Sequence, residues 1–553
     1  MPATRLRRFL SEERWEFAPH EMPAMPGSPG SPEHPNRRRI AYGIIAVLLG
    51  LTGGFGSALI SANTTTLQGS LGLDPAEIAW LPTVYVMTNT SINLLLIKFR
   101  QQFGLRPFAI IFLGIYAALT LGHLFVRDFW SAIVVRAASG MAGAAVSSLC
   151  LYYMMQALPA KWRLKAVVIG IGIPQCTLPL ARLFSPDLLA MSQWRMLYLF
   201  ELGLALLSLA GVAWLRLPPT IRRKAFEPLD FVTFLLFGIS MALVAAVLGL
   251  GRIVWWTNAN WIAWALIIAL PMFLAAIAIE HHRANPLLNT RWLASSDILR
   301  FTIVTIMARI VLSEQTYAAV GLLTVLGQNN DQFGTLFTII FIASVAGVVA
   351  SAVTLNVEKL AHPVMLSIGL VAVAAFTDSH STSLTRAPQM YATQALIAFS
   401  ATFFLGPSLL FGMTRALREG SGHIITFIAL FGIINSIGSL GGSALLGSYQ
   451  TIREKAESAA IVQTVDPTDP IVAARLQAGG AAVGRVVGDP ALRSAEGGAL
   501  LSQTATREAN VLAYNDTFRL IAWLAAATTL YLMFLLIRRA WRARRMAGGE
   551  AAA

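Results

Sequence analysis

Charge is scarce in this sequence: 13% of its 553 residues are Asp, Glu, Lys or Arg, against 56% hydrophobic. A soluble domain carries about a quarter charged residues and needs that polarity to cover its core. The shortage excludes an ordinary water-soluble globule and makes lipid the solvent for most of the chain. Cysteine is nearly absent. Cys150 and Cys176 both lie in apolar runs, which reads as two small buried hydrophobes and excludes a disulfide framework or a thiolate metal site. His123 and His423 have no partner at ligand spacing, so neither metal nor cofactor is expected. No Walker A sequence, nucleophile motif or metalloprotease helix is visible, which argues against an enzyme and against direct ATP hydrolysis. The N-terminal region also lacks an apolar stretch followed by a small-residue cleavage site, so no signal peptide is expected.

What the chain has instead is long apolar runs. A span needs about 20 mostly apolar residues, and fourteen such cores are read at 40–61, 78–97, 107–125, 130–156, 166–185, 195–215, 230–250, 259–279, 299–325, 334–355, 363–377, 391–412, 423–447 and 515–537. The eleventh is the shortest and ends in Asp378, Ser379 and His380. The net charge of +14 raises the question of nucleic acid. Its distribution answers against it, because the basic residues cluster in alternate short loops. Lys98, Arg100 and Arg106 form one cluster, Lys161, Arg163 and Lys165 another, and Arg216, Arg222, Arg223 and Lys224 a third; the intervening loops are nearly free of them. This places both termini in the cytoplasm and requires an even number of spans, which twelve also satisfies. Residues 1–39 read as a disordered basic cytoplasmic tail rich in Pro, and 541–553 as a second cytoplasmic tail. The segment 448–513 is too polar to span and is expected outside the membrane as one or two amphipathic helices, either a connector or a docking surface.

Several local patterns resemble the major facilitator superfamily, in particular the EmrB/QacA group of fourteen-span drug exporters. Trp80 to Tyr85 resembles the W-x-x-x-x-Y stretch opening the second span, and Phe103-Gly104-Leu105-Arg106 the end of the cytoplasmic G-x-L-a-D-R-x-G-R-R motif, with Gln101 in place of its Asp and Ile97 in place of its first Gly. Arg136 with Gly140 is similar to the R-x-x-x-G motif of the fourth span, where the family links the Arg to proton coupling. The antiporter motif G-P-x-x-G-G is reduced to Pro179, with Arg182 in a glycine position. Gln193 to Phe200 resembles the start of the sixth span, with Glu201 for an Asn, and Asn285-Pro286-Leu287-Leu288 matches the stretch before the ninth. The outer loop, with Arg453-Glu454 and Val465-Asp466-Pro467, is closer to the EmrB branch. That implies a membrane-fusion-type periplasmic adaptor and an outer-membrane channel as partners. The largest departure is in the first span, where Gly56 takes the place of the family's membrane-embedded Asp, its usual proton or cation site.

The resemblance implies an all-α polytopic membrane protein with the major facilitator fold: an N-terminal six-helix bundle (40–216), two linking spans (229–280) and a C-terminal six-helix bundle (299–540). An ionisable residue within a span is a functional candidate by default. Here these are Arg136, Arg182, Glu201, Arg309 and Glu314, with Gln315 beside the last. Arg136, Arg182 and Glu201 are expected to meet in the outer half of the N-terminal bundle, as a titrating carboxylate between cations or as a static ion pair; the alternative is that Glu201, on a peripheral sixth span, faces the lipid edge and snorkels. Arg309 and Glu314 are five residues apart, about 140° around a helix, and should not pair with each other. The expected function is secondary active export of small amphipathic or aromatic molecules across a bacterial inner membrane, coupled to protons. Two alternatives stand beside it. One is a dedicated exporter of organic anions, which the three intramembrane arginines would suit. The other is a non-transporting membrane sensor or scaffold.

Overall fold

The computed structural model describes residues 17–18, 21–23, 27–192, 194–420, 422–466 and 468–550, and of residues 192 and 542–550 the backbone alone. Most of the expected tail 1–39 lies outside the described residues, as do Gln193 and Pro467 of the motif stretches and the side chains of Arg542, Arg544 and Arg545.

Fourteen long helical rods follow one another. They are α1 (Asn36–Ala62), α2 (Pro75–Phe103), α3 (Leu105–His123), α4 (Phe129–Ala157), α5 (Ala160–Met191), α6 (Arg195–Trp214), α7 (Pro228–Val254) and α8 (Asn260–His282). After them come α9, α10 (Asn330–Val353), α11 (Ala361–Asp378), α12 (Ala387–Glu419), α13 (His423–Thr464) and α14 (Pro490–Glu550). The rod α9 runs as Ser296–Leu312, a π-helical turn Glu314–Ala319 and Val320–Val325. Twelve of the fourteen are long and apolar enough to cross a membrane. Of the two exceptions, α2 is long but too polar, whereas α9 is broken at Ser313 and its longest α-helical piece, Ser296–Leu312, has 17 residues. Their polar residues, among them Asn89, Asn93 and Arg100 on α2 and Arg309, Ser313 and Gln315 on α9, line an internal cavity.

Local sequence explains where the rods begin and end. Asp74 caps α2 by accepting from Glu77 N (2.7 Å) while Glu77 accepts from Asp74 N (3.0 Å), with Pro75 in the first turn. Gly104, at φ 90°, ends it in a conformation that favours glycine. Asp128 caps α4 in the same way through Ser131 N (2.8 Å).

Small residues set the closest approaches, as membrane helices require. A Cβ on Gly140 of α4 would lie 2.4 Å from the Tyr85 carbonyl of α2, and one on Gly347 of α10 would lie 2.4 Å from the Phe399 carbonyl of α12. The rod α7 packs against α2 and α13, and α8 lies on α7 with Trp264, Ile267 and Leu270 exposed on its far side.

An ionic knot ties α7 and α8 to the basic end of α2. Lys98 pairs with Asp230 (2.5 Å), and Arg283 pairs with Asp230 (2.9 Å), Glu227 (2.7 Å) and Glu280 (2.7 Å). Glu280 also accepts the backbone N–H groups of Leu287 and Leu288, which explains the Asn285–Leu288 stretch.

Most of the described part of 448–513 is helical. The rods α13 and α14 continue through it as long extensions, and the short helix Pro470–Ala482 packs on α14 where a Cβ on Gly497 would lie 2.3 Å from the Leu476 carbonyl. Arg453 pairs with Asp516 (2.6 Å) across the base of this hairpin and with Glu457 (2.5 Å) one turn along its own helix.

The expectation of disorder up to residue 39 is corrected. Helix α1 starts at Asn36, and Ser28 and His34 are buried. His34 bonds to Gln156 Oε1 (3.0 Å), Gln156 Nε2 donates to the Gly30 carbonyl (2.9 Å), and Gly30 N donates to the Pro219 carbonyl (3.1 Å). Burial, and then the charges of Arg38 and Arg39, hold the His34 pKa below its ordinary value despite the Gln156 bond. The docked segment thus favours neutral imidazole. Its docking is fully stable above the free-histidine pKa of about 6.5 and weakens as pH falls through and below it. The protection of residues 27–34 against hydrogen exchange, after correction for the intrinsic exchange rate at each pH, should fall on acidification in the wild type. In His34→Gln that pH dependence should disappear, and an unchanged dependence there would contradict the assignment.

Candidate functional site

A cavity of about 950 Å³ runs between the two halves, within the size range of small-molecule sites. Its wall comes from α1, α2, α4, α5, α7, α9, α10, α12 and α13. Polar groups such as Asn89, Asn93, Gln175, Gln315 and Asn435 are set among apolar ones. Three arginines reach it, Arg100, Arg252 and Arg309, while its lining contains neither Asp nor Glu.

These arginines are differently held. Arg100 donates to Ser148 Oγ (2.9 Å) and lies over the rings of Phe108 and Tyr152. Arg252 lies over Tyr317, 5.0 Å from its ring centroid. Arg309 of α9 makes no ion pair, and its Nε is buried without a hydrogen-bond partner, as is the Oδ1 of Asn435 across from it on α13. Gly438 makes room for it: a Cβ there would lie 2.9 Å from that of Arg309. Arg252 and Arg100 were not among the candidates read from sequence, because both sit near span ends where a basic residue signals only a loop.

In the N-terminal half, Arg136 is 1% exposed and does not line the cavity. Its Nη1 donates to the Gly56 carbonyl (2.7 Å), and its guanidinium lies 4.5 Å from the centre of the Tyr85 ring, which does line it. Glu201 is also 1% exposed and accepts from the Tyr116 hydroxyl (2.5 Å). It faces the bundle, not the lipid. The two charges make no direct ion pair, and Gly56 lies between them. A Cβ on Gly56 would fall 2.4 Å from the Tyr116 hydroxyl and 3.1 Å from that of Tyr85. The position where the resemblance expects a carboxylate is therefore filled by two tyrosine hydroxyls, one of which leads to Glu201 on α6. Arg182 does not join this group, contrary to expectation. It donates to Asn330 Oδ1 (2.8 Å) and packs over Phe337, both on α10 of the other half.

In the C-terminal half, Arg309 and Glu314 do not pair, as their spacing predicts. Glu314, fully buried, meets two residues that sequence reading did not select. Gln394 Nε2 of α12 donates to Glu314 Oε1 (3.1 Å) and to Asp378 Oδ2 of α11 (3.0 Å). Gln315 Nε2, in the cavity wall, donates to the Gln394 carbonyl (3.0 Å). Asp378 was read as the polar end of a short span. Its signal was an acid directly abutting an apolar run.

The motif positions have structural roles. Gly140 permits the α2–α4 contact, Pro179 lies in the cavity wall, and Arg106 donates to the Val212 (2.7 Å) and Ala213 (3.2 Å) carbonyls at the end of α6. The loop without its Asp is anchored differently. The Gln101 carbonyl accepts from Arg223 N (2.9 Å), and Gln102 Oε1 from Ala225 N (3.2 Å) and Phe226 N (3.0 Å).

No family model and no curated protein matches the chain. Solved structures do. The human organic anion transporter MFSD10 (TETRAN) superposes with a TM-score of 0.53 at 14% identity, covering 89% of this chain and 100% of that one. Tetrameric PepTSo2 gives 0.52 at 12%, covering 91% and 99%. A bacterial homologue of the human drug peptide transporters PepT1 and PepT2 gives 0.51 at 11%, covering 91% and 99%. The chain therefore has the major facilitator fold: it is an all-helical, multi-pass membrane protein.

Restoring the carboxylate in Gly56→Asp should be costly, since it forces the Tyr116 hydroxyl aside and buries a second acid beside Glu201. A loss of about 3 kcal/mol or more is expected, seen as a lower melting temperature of the purified protein in detergent. Gly56→Ala should show a smaller loss of the same sign. An unchanged melting temperature in the Asp variant would mean that Tyr116 does not hold this position.

Proposed function

We propose that the protein is a secondary active exporter of small amphipathic organic anions in a bacterial inner membrane, energised by the proton gradient. The observation that carries this reading is the cavity lining, with Arg100, Arg252 and Arg309 and no Asp or Glu. A cationic drug entering such a site would meet like charges in a low dielectric, which rejects it, while an anion would find donors. Arg100 and Arg309 both have an unpartnered Nε, and Arg309, without the Ser148 bond that holds Arg100, is the one we assign to the substrate's anionic group. Between the organic-anion and the broad drug-efflux readings, the lining favours the first.

Fourteen crossings are part of the proposal. The polarity of α2 and α9 belongs to the cavity they line, and fourteen, like twelve, returns both termini to the cytoplasmic side with the basic loops. Outward transport and membership of the EmrB branch rest on the motif resemblance. At 1.5 Å per residue the 42 residues of α13 would reach about 63 Å, twice the hydrocarbon thickness of about 30 Å. The hairpin they form with α14 is the surface we assign to a periplasmic adaptor leading to an outer-membrane channel.

The test is transport by the purified chain in liposomes, with an internal pH dye and a panel of anionic aromatics and cationic dyes. Movement of the anions and not of the cations is expected. Preferred movement of the cations would replace this reading by multidrug efflux, and movement of neither would favour a sensor or scaffold. Within the anion series, Arg309→Ala should raise KM about tenfold or more, because a charge-assisted hydrogen bond is worth about 1.5–3 kcal/mol. An unchanged KM would remove Arg309 from the substrate site.

A further inference from the structure

The cavity contains no acid, yet two acids stand behind its wall with no positive charge to balance them. Glu314 is 0% exposed, Asp378 4% and Gln394 1%. A single amide nitrogen, Gln394 Nε2, joins the carboxylates: it lies 3.1 and 3.4 Å from the two Glu314 oxygens and 3.0 Å from Asp378 Oδ2. Among the described residues, neither acid has a Lys, Arg or His within ion-pairing distance.

The charged and titratable groups on the surrounding helices are turned elsewhere. On α9, Arg309 faces the cavity and Tyr317 stacks with Arg252. Just beyond α11, the exposed His380 Nδ1 is engaged with the Phe376 carbonyl (3.0 Å). Arg386, leading into α12, donates to the Ser383 (3.1 Å) and Thr385 (2.8 Å) carbonyls. On α13, Arg453 pairs with Asp516 (2.6 Å), and on α14, Tyr514 packs on Tyr317.

One amide group has two hydrogens and no net charge. It can orient two carboxylates, but it cannot neutralise them. Two like charges in a low dielectric without a cation are strongly disfavoured, and such a pair keeps a proton. A second observation points the same way. Asn515 of α14, 7% exposed, donates its amide to the Ser381 carbonyl (2.7 Å), three residues past Asp378, while its buried Oδ1 has no donor. A buried, unfilled acceptor thus lies one hydrogen bond away from the turn that follows Asp378.

We propose that Glu314 and Asp378, held by Gln394, form a one-proton site that couples transport to the proton gradient. The step is the gain or loss of one H⁺ on a carboxyl oxygen of the pair. Its link to the substrate is Gln315, whose side chain lies in the cavity wall and donates to the Gln394 carbonyl (3.0 Å), with Gln394 Oε1 at 3.4 Å. The π-helical turn that opens at Glu314 gives this stretch of α9 a local means of shifting register. The coupling role rests on the transporter reading above; the proton itself does not.

Two measurements on the full-length chain in lipid separate the two claims. First, dicyclohexylcarbodiimide, which modifies protonated buried carboxyls, is applied across a pH series and the adduct mapped by mass spectrometry. This needs neither a substrate nor a variant. Labelling of Glu314 or Asp378 that fades as pH rises is expected, and no labelling of either at any pH overturns the site. Second, Glu314→Gln and Asp378→Asn are assayed for accumulation driven by an imposed pH gradient and for substrate–substrate exchange. Loss of accumulation with exchange retained is expected, and retained exchange also shows that the variants fold. Accumulation retained by both variants, or driven by sodium and not by protons, overturns the coupling role. Labelling without transport of any anion would instead overturn the function proposed above while leaving the proton site standing.

Discussion

An unbalanced charge inside a helix bundle in lipid costs several kcal/mol, and the placement of polar groups here follows from how each charge meets that cost. Arg136 settles on the Gly56 carbonyl and the Tyr85 ring, and Glu201 on the Tyr116 hydroxyl. Asp230 and Glu280 are buried only because Lys98 and Arg283 surround them. Arg309 has no such settlement within the protein and turns to the cavity, and Glu314 and Asp378 share one neutral amide. Charges that are fully paired hold the fold together. Those that are not are where we place substrate and proton.

The same constraint explains the polar residues inside α2 and α9. In α2 and α9 polarity is tolerated because the cavity between the halves, and not lipid, receives it. Their neighbours must then come close, which Gly140 permits at α2 and Gly442 at α9, where a Cβ would lie 2.3 Å from Ser313 Oγ. Loss of the family glycines in α5 is consistent with this arrangement: Arg182 in a glycine position reaches across to Asn330 and Phe337 on α10.

The helices were legible because hydropathy is a local property, and every expected span core overlaps one of the long rods. The short eleventh span is a complete helix, Ala361–Asp378. What was not legible depends on helix rotation and on distant partners. Depth alone grouped Arg182 with Arg136 and Glu201, but a helix places residues on faces, and Arg182 faces the other half. Gln101 in place of the motif's Asp showed only a loss, because its compensation, the 223–226 segment, is more than a hundred residues away. Asp378 was read as a boundary, since nothing local shows that Gln394 and Glu314 converge on it.

The central claim is that an anion binds between the two halves against the arginine-lined wall. A photoreactive aromatic carboxylate, cross-linked to the purified chain in lipid and mapped by mass spectrometry, tests it most directly. The account predicts labels on cavity residues of both halves, such as those around Asn89 and Asn435, that an excess of unlabelled anion suppresses. Labels confined to the 448–513 hairpin or to the outward face of α8, and indifferent to competitor, would contradict it.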